Sequence, residues 1–297
     1  MVNLWNPSGH LPFFVLLITS FLLGMVHGVT PDEHTWPITF SYSIGSYSTK
    51  GGLKSGFLFS AAFTLQRAIA SELAYFALVG PLMAEKADYA IYIIVGIVMF
   101  LSGSYILKIG RHIHLLGFFE HWLAKIARIE EEDDLPDASS APRRPPVRLA
   151  LLHGFIAGFG TGAFALLIYT VIAPQMPSPY VAFVPGLLFG LGTMVMQMAI
   201  GSAVGWWMQH RHLSQRALQY VARRVSGMML YYGGIGFVVI GILGLFLPLD
   251  RLQIVTGIHV HNLDTLGVGF FLAVILLFGI AGYAFIYTLR EVKHRTL

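Results

Sequence analysis

Residues 24–37 read Gly-Met-Val-His-Gly-Val-Thr-Pro-Asp-Glu-His-Thr-Trp-Pro and put two imidazoles and two carboxylates in or beside an apolar stretch. Ionisable groups at membrane depth are costly, and where they occur they pair, line water or bind a ligand. His27 and His34 are seven positions apart, close to two helical turns. With Asp32 they form a nitrogen and oxygen donor set that suits nickel, cobalt or zinc. Binding would require the imidazoles and the carboxylate to shed protons, which couples it to pH. Glu33 is a further candidate ligand, but Asp32 and Glu33 also favour a helix N-terminus through the macrodipole. Pro31 cannot donate a backbone hydrogen bond and clashes with the carbonyl of His27, so the helix must break there. Thr30-Pro31-Asp32-Glu33 matches a capping box with proline at the first helical position, which predicts a second helix from Pro31 toward Ser48. A break of this kind is tolerated in a bilayer only where protein or a water-filled cavity satisfies the freed backbone.

The elements that must position these residues are membrane spans. Of 297 residues, 56% are hydrophobic and 11% charged; a soluble domain carries about twice that charge fraction. Seven apolar segments lie near 11–29, 55–80, 88–109, 149–173, 180–208, 225–247 and 266–289, each near the ~20 residues a span needs. Residues 1–26 hold no Lys or Arg, so the first segment lacks the basic leader of a signal peptide and is expected to remain as a span. Sixteen of the nineteen basic residues fall on one side of the alternation, Lys86 and Arg251 on the other, and Arg67 within a span. Basic residues favour cytoplasmic loops, so the N-terminus is predicted outside and the C-terminus in the cytoplasm. The expected fold is all-α and polytopic, in the cytoplasmic (inner) membrane, with the bilayer as partner and no nucleic acid.

The two halves of the chain resemble each other. Met25-Val26-His27-Gly28 matches Leu151-Leu152-His153-Gly154, Gly56-Phe57-Leu58-Phe59 matches Gly186-Leu187-Leu188-Phe189, and the third spans pair loosely through Gly96 and Gly236. A unit of three spans is odd, so the second copy lies upside down relative to the first, as in many secondary transporters. The predicted organisation is a first three-span repeat over 1–110 with a broken first helix, then a cytoplasmic linker over 111–147. A second three-span repeat follows over 148–248, and 249–297 holds an outer loop, a seventh span and a cytoplasmic tail.

Further polar residues fall within the spans. Arg67 and Glu72 lie mid-segment, and at five positions apart they do not face each other well on one helix. They read either as a transport pathway with a proton carrier or as structural polar contacts between helices. Gln197 occupies the repeat position of Arg67. His153, the counterpart of His27, is a candidate ligand at the start of the glycine-rich run Gly154, Gly158, Gly160 and Gly162, which otherwise reads as close helix packing. His259, His261 and Asp264 form a candidate outer capture site in a loop.

The segment His27-x4-Asp32-Glu33-His34 resembles the His-x4-Asp-His signature of the nickel/cobalt permeases, with Glu33 displacing the second histidine by one position. The placement of Pro31 after His27 is similar to the related nickel/cobalt efflux proteins. Both belong to a superfamily built from three-span repeats. The resemblance implies a transporter for a divalent transition metal (nickel or cobalt, with zinc also compatible), bound as cargo at His27, Asp32 and His34. No cofactor, catalytic residue or enzymatic activity is expected. The same superfamily includes thiol-disulfide carriers, which the absence of cysteine excludes. Two other classes remain open: export of a small organic solute or anion through Arg67, and a membrane-embedded metal or haem enzyme using His27 and His153.

Overall fold

The computed structural model describes residues 12–30, 35–77, 87–107, 149–160, 163–211, 213–255 and 265–295. The linker 111–147, residues 31–34 and the loop histidines His259 and His261 with Asp264 lie outside them. Helix α1 covers Phe13–Val29 and is apolar almost throughout. Thr30 closes it: its backbone N–H and its hydroxyl both donate to the Val26 carbonyl, at 2.9 and 2.6 Å. The chain is extended at Thr30 (φ −75°, ψ 130°). Helix α2 covers Trp36–Ser46, with Thr35 before it and Pro37 in its first turn. Of the capping box Thr30-Pro31-Asp32-Glu33, only Thr30 lies among the described residues, where its hydroxyl closes the last turn of α1.

Helix α3 spans Thr49–Tyr75 and begins where the Ser48 hydroxyl accepts from the Gly51 N–H at 3.0 Å. That cap extends it six residues upstream of the apolar segment. Helix α4 covers Ala87–Leu107. The fourth predicted segment is interrupted. Helix α5 (Leu149–Ala157) is separated by the Gly158–Gly162 stretch from α6 (Ala163–Leu167), which continues as a π turn to Ile172 and a 3₁₀ turn to Gln175. Helix α7 covers Val184–Gln209. Helix α8, Gln215–Phe246, is capped by Ser214 and starts ten residues before its apolar segment. Ile254–Val255 (β1) and Thr265–Leu266 (β2) form a two-residue antiparallel pair. It precedes α9 (Val268–Val274), a π stretch over 275–280 and α10 (Ala281–Arg295).

The protein is thus all-α apart from that short pair. Among the described residues three helices are long and apolar enough to cross a membrane: Tyr89–Leu107, Pro179–Gln209 and Gln215–Phe246. Seven do not qualify by that measure, for physical reasons. The first segment is one helix of 17 residues, the fourth is broken into short pieces and the seventh contains a π stretch. Helix α3 carries Lys50, Lys54, Arg67 and Glu72, which lower its mean hydropathy although about half of its residues are buried.

Helices α3 and α7 form the central pair, crossing antiparallel where small residues let the backbones meet. A Cβ on Gly56 would strike the Gln197 carbonyl, and one on Gly186 the Arg67 carbonyl. Helix α1 packs on α7 and α5 packs on α3. A Cβ on Gly24 would strike the Phe189 carbonyl, and one on Gly154 the Phe59 carbonyl. In each of these two pairs of contacts, one becomes the other when a residue in the first half is exchanged for the residue 130 positions later, and the reverse. Helices α4 and α8 form the other antiparallel pair. There Gly96 meets Gly234 and Gly103 meets Gly227, a shift of 131 positions that pairs Gly96 with Gly227 rather than Gly236. Gly236 instead faces Leu272 of α9.

These backbone contacts leave no room for a methyl group, whereas the open side of Gly282 on α10 meets nothing within 4 Å. Gly154→Ala and Gly24→Ala are expected to destabilise the detergent-solubilised protein by about 1–3 kcal/mol, the usual cost of overpacking. Gly282→Ala, gaining only helix propensity, is expected to leave the thermal unfolding midpoint unchanged or higher. The three midpoints, measured side by side, check the difference.

Candidate functional site

At both breaks a backbone carbonyl accepts from a side chain of the opposite half. At the end of α1 the Gly28 carbonyl accepts from Gln197 Nε2 on α7 at 3.1 Å and from Trp36 Nε1 at 3.3 Å. One turn earlier, Thr193 Oγ1 donates to the Gly24 carbonyl at 3.1 Å. After α5 the Gly160 carbonyl accepts from Arg67 Nη2 on α3 at 2.8 Å. Arg67 and Gln197 stand 130 positions apart, so each helix of the central pair holds the break in the other half. Gln66 packs against Gly158 as Met196 packs against Gly28.

Arg67 is 2% exposed. Its Nη1 donates to Tyr169 Oη at 2.7 Å, and no carboxylate among the described residues pairs with it. The guanidinium lies 4.7 Å from the centre of the Phe63 ring, 5.6 Å from Phe189 and 5.9 Å from Tyr169. Ring faces attract a cation most strongly when it is out of water; here they stand where a counterion would otherwise be needed. Glu72 is half-buried and makes no ion pair with Arg67. The buried Glu72 Oε2 has no hydrogen-bond partner among the described residues.

His27 is buried on the other side of the same aromatic group. Its ring is stacked on Phe189 at 5.2 Å and on Phe63 at 5.7 Å, with Phe164 edge-on at 6.3 Å. His153, fully buried on α5, has Nδ1 3.1 Å from Tyr42 Oη and 3.0 Å from the Leu149 carbonyl. If Nδ1 carries the proton for Leu149, Nε2 keeps its lone pair, as a ligand nitrogen requires. The structure does not bring His27 and His153 together: one sits among phenylalanines, the other against Tyr42.

Asp32, Glu33, His34 and Pro31 lie outside the described residues. Among the described residues no three His, Asp or Glu side chains converge. Buried Arg67 Nε, Gln66 Oε1, Gln197 Oε1 and His153 Nε2 have no hydrogen-bond partner among the described residues. Buried polar atoms of this kind are met in proteins by water or ligand.

The sequence pattern did not single out Tyr42, Tyr169 or the phenylalanine group, because aromatic residues are ordinary in apolar spans. The second break did carry a signal. Three glycines within five positions, at 158, 160 and 162, weaken a helix by backbone entropy, and this outweighs their use in packing. Compared with family models, curated proteins and solved structures, the chain matches none.

Gln197→Leu removes a donor from the buried Gly28 carbonyl and keeps a similar volume. Trp36 still donates to that carbonyl, so the expected cost is about 1 kcal/mol, the net worth of one hydrogen bond. Arg67→Lys, with a point charge in place of a fork, is expected to lose one of the two bonds to Tyr169 and Gly160. Thermal unfolding in detergent measures both.

Proposed function

We propose that this chain is a secondary transporter with two inverted three-span units and a seventh span, and that it moves a divalent transition-metal cation of the nickel/cobalt type. The observation that carries the transporter reading is the reciprocal tethering of two helix breaks. Each interrupted first helix presents unpaired backbone at the centre of the protein, and each is held by a side chain of the opposite half, Gln197 or Arg67. A rocking motion of one half against the other would exchange these contacts without exposing bare carbonyls to lipid. Discontinuous helices meeting at a repeat interface are the usual setting of a transporter's binding site. The membrane is the cytoplasmic one, with the N-terminus outside, on the alternation of basic residues.

The metal rests on the motif His27, Asp32 and His34, with Glu33 and His153 as further donors and Glu72 as proton carrier. Deprotonated imidazole and carboxylate bind the cation, so protons compete with cargo and affinity rises with pH. Arg67 favours a second reading. A guanidinium fixed in the interior with no carboxylate beside it among the described residues repels a dication and attracts an anion, and low dielectric strengthens both effects. Under the metal reading the motif carboxylates Asp32 and Glu33 must offset that charge; under the anion reading Arg67 itself receives the cargo.

Uptake of nickel, cobalt and zinc into proteoliposomes under an imposed pH gradient separates the two. Saturable flux is expected in the wild type, lost in the His27→Ala/His34→Ala variant, and weaker when the outside is acidified. Absence of metal flux by intact wild-type protein in both gradient directions overturns the metal reading. Flux of a small organic anion that requires Arg67 and survives loss of both histidines would establish the second.

A further inference from the structure

A groove runs along the last turns of α7, between that helix, α2 and α10. Its inner part has a volume of about 610 Å³ and is walled by apolar side chains, among them Phe40, Trp207 and Phe285. A recess of about 500 Å³ at the end of α7 shares Trp207 and Phe285 with it and is bordered by His210 and Arg211. Among the described residues no Asp or Glu lines either space. The Arg211 guanidinium lies 3.8 Å from the Trp207 ring and 5.8 Å from the Phe285 ring. Stacking occupies the flat face of a guanidinium and leaves its N–H edges able to bind an oxyanion.

We infer that this groove is a binding site for an anionic phospholipid, with the phosphate on Arg211 and one acyl chain along the apolar wall. The assignment rests on the reading of the chain as membrane-spanning. Four observations bear on it. The mouth is cationic and the interior apolar, which is the polarity of such a lipid. Ala203 at the inner part lies six residues before α7 ends at Gln209, a rise of about 9 Å that falls within half the hydrocarbon thickness of ~30 Å, and Arg211 at the mouth follows two residues beyond. Trp206 and Trp207 are 53% and 40% exposed beside Arg211, and tryptophan is enriched where hydrocarbon gives way to headgroups. Gly282 lines the groove, and a Cβ there would meet nothing within 4 Å, so the space is open to a chain.

The position has a mechanical consequence. Trp36 also lines the groove, and its indole N–H donates to the Gly28 carbonyl at the first helix break. A bound acyl chain would therefore rest against a residue that holds the break.

Native mass spectrometry of the purified full chain in detergent tests the inference, with titration of phosphatidylglycerol or phosphatidylcholine. Wild type is expected to retain phosphatidylglycerol about fivefold better than phosphatidylcholine, the effect of one basic residue near anionic headgroups. Arg211→Gln is expected to abolish that preference, and Gly282→Leu, which fills open space, to reduce binding of both lipids while the unfolding midpoint holds. Equal retention of the two lipids by wild type overturns the proposal, as does a preference that survives Arg211→Gln. Lipid binding undiminished in Gly282→Leu also overturns it. A dimer that forms in wild type and is lost in Gly282→Leu, with no lipid adducts, would assign the groove to a second copy of the chain. None of these outcomes depends on which cargo is moved, so failure here leaves the transport reading to its own assay.

Discussion

A peptide carbonyl that leaves a helix in a low-dielectric interior must find a donor, since the cost of leaving it bare is several kcal/mol. Two such places occur in this protein, at Gly28 and at Gly160, and much of the architecture follows from serving them. The donors are long side chains in the middle of the two central helices. Those helices must cross close enough for Gln197 to reach one break and Arg67 the other. That closeness explains the glycines at the crossing, where a single methyl group would meet backbone. The polar residues of α3, unwelcome in a simple span, are thus part of what lets the neighbouring helices be interrupted.

Arg67 carries a second constraint. Among the described residues this buried cation is met by the hydroxyl of Tyr169, a backbone carbonyl and the faces of Phe63 and Phe189. Those two rings also stack on His27. The imidazole and the guanidinium are therefore electrostatically linked through shared aromatic neighbours, and a change of charge at one alters the field at the other.

The C-terminal helices stand apart from the 130-residue correspondence. Helix α10 is attached to α8 by an ion pair of 3.2 Å between Arg224 and Glu291 and by Tyr220, whose hydroxyl donates to Glu291 at 2.7 Å. The pairing anchors one end and leaves the face that carries Gly282 unpacked. The apolar groove is a product of that one-ended attachment.

The sequence by itself determined the all-α class, the apolar segments, the break after His27 and the kinship of the two halves, since each depends on local composition. Pro31 cannot continue a helix, and matching Gly-x-x-Phe patterns survive in a linear string; the His-Gly match is out of register, since the 130-position correspondence sets Gly24 against Gly154 and so His153 against Leu23 rather than His27. Where the helices start was decided by caps such as Ser48 and Ser214, which extend α3 and α8 into polar sequence that hydropathy excludes. The relation of Gly96 to Gly227, rather than to the nearby Gly236, came only from which backbones touch. Partnerships such as Arg67 with Gly160 and Tyr169, or His153 with Tyr42, join residues about a hundred positions apart in the chain. No local pattern encodes them, because they arise when two helices cross at a depth where every polar group must find whichever partner the crossing brings within reach.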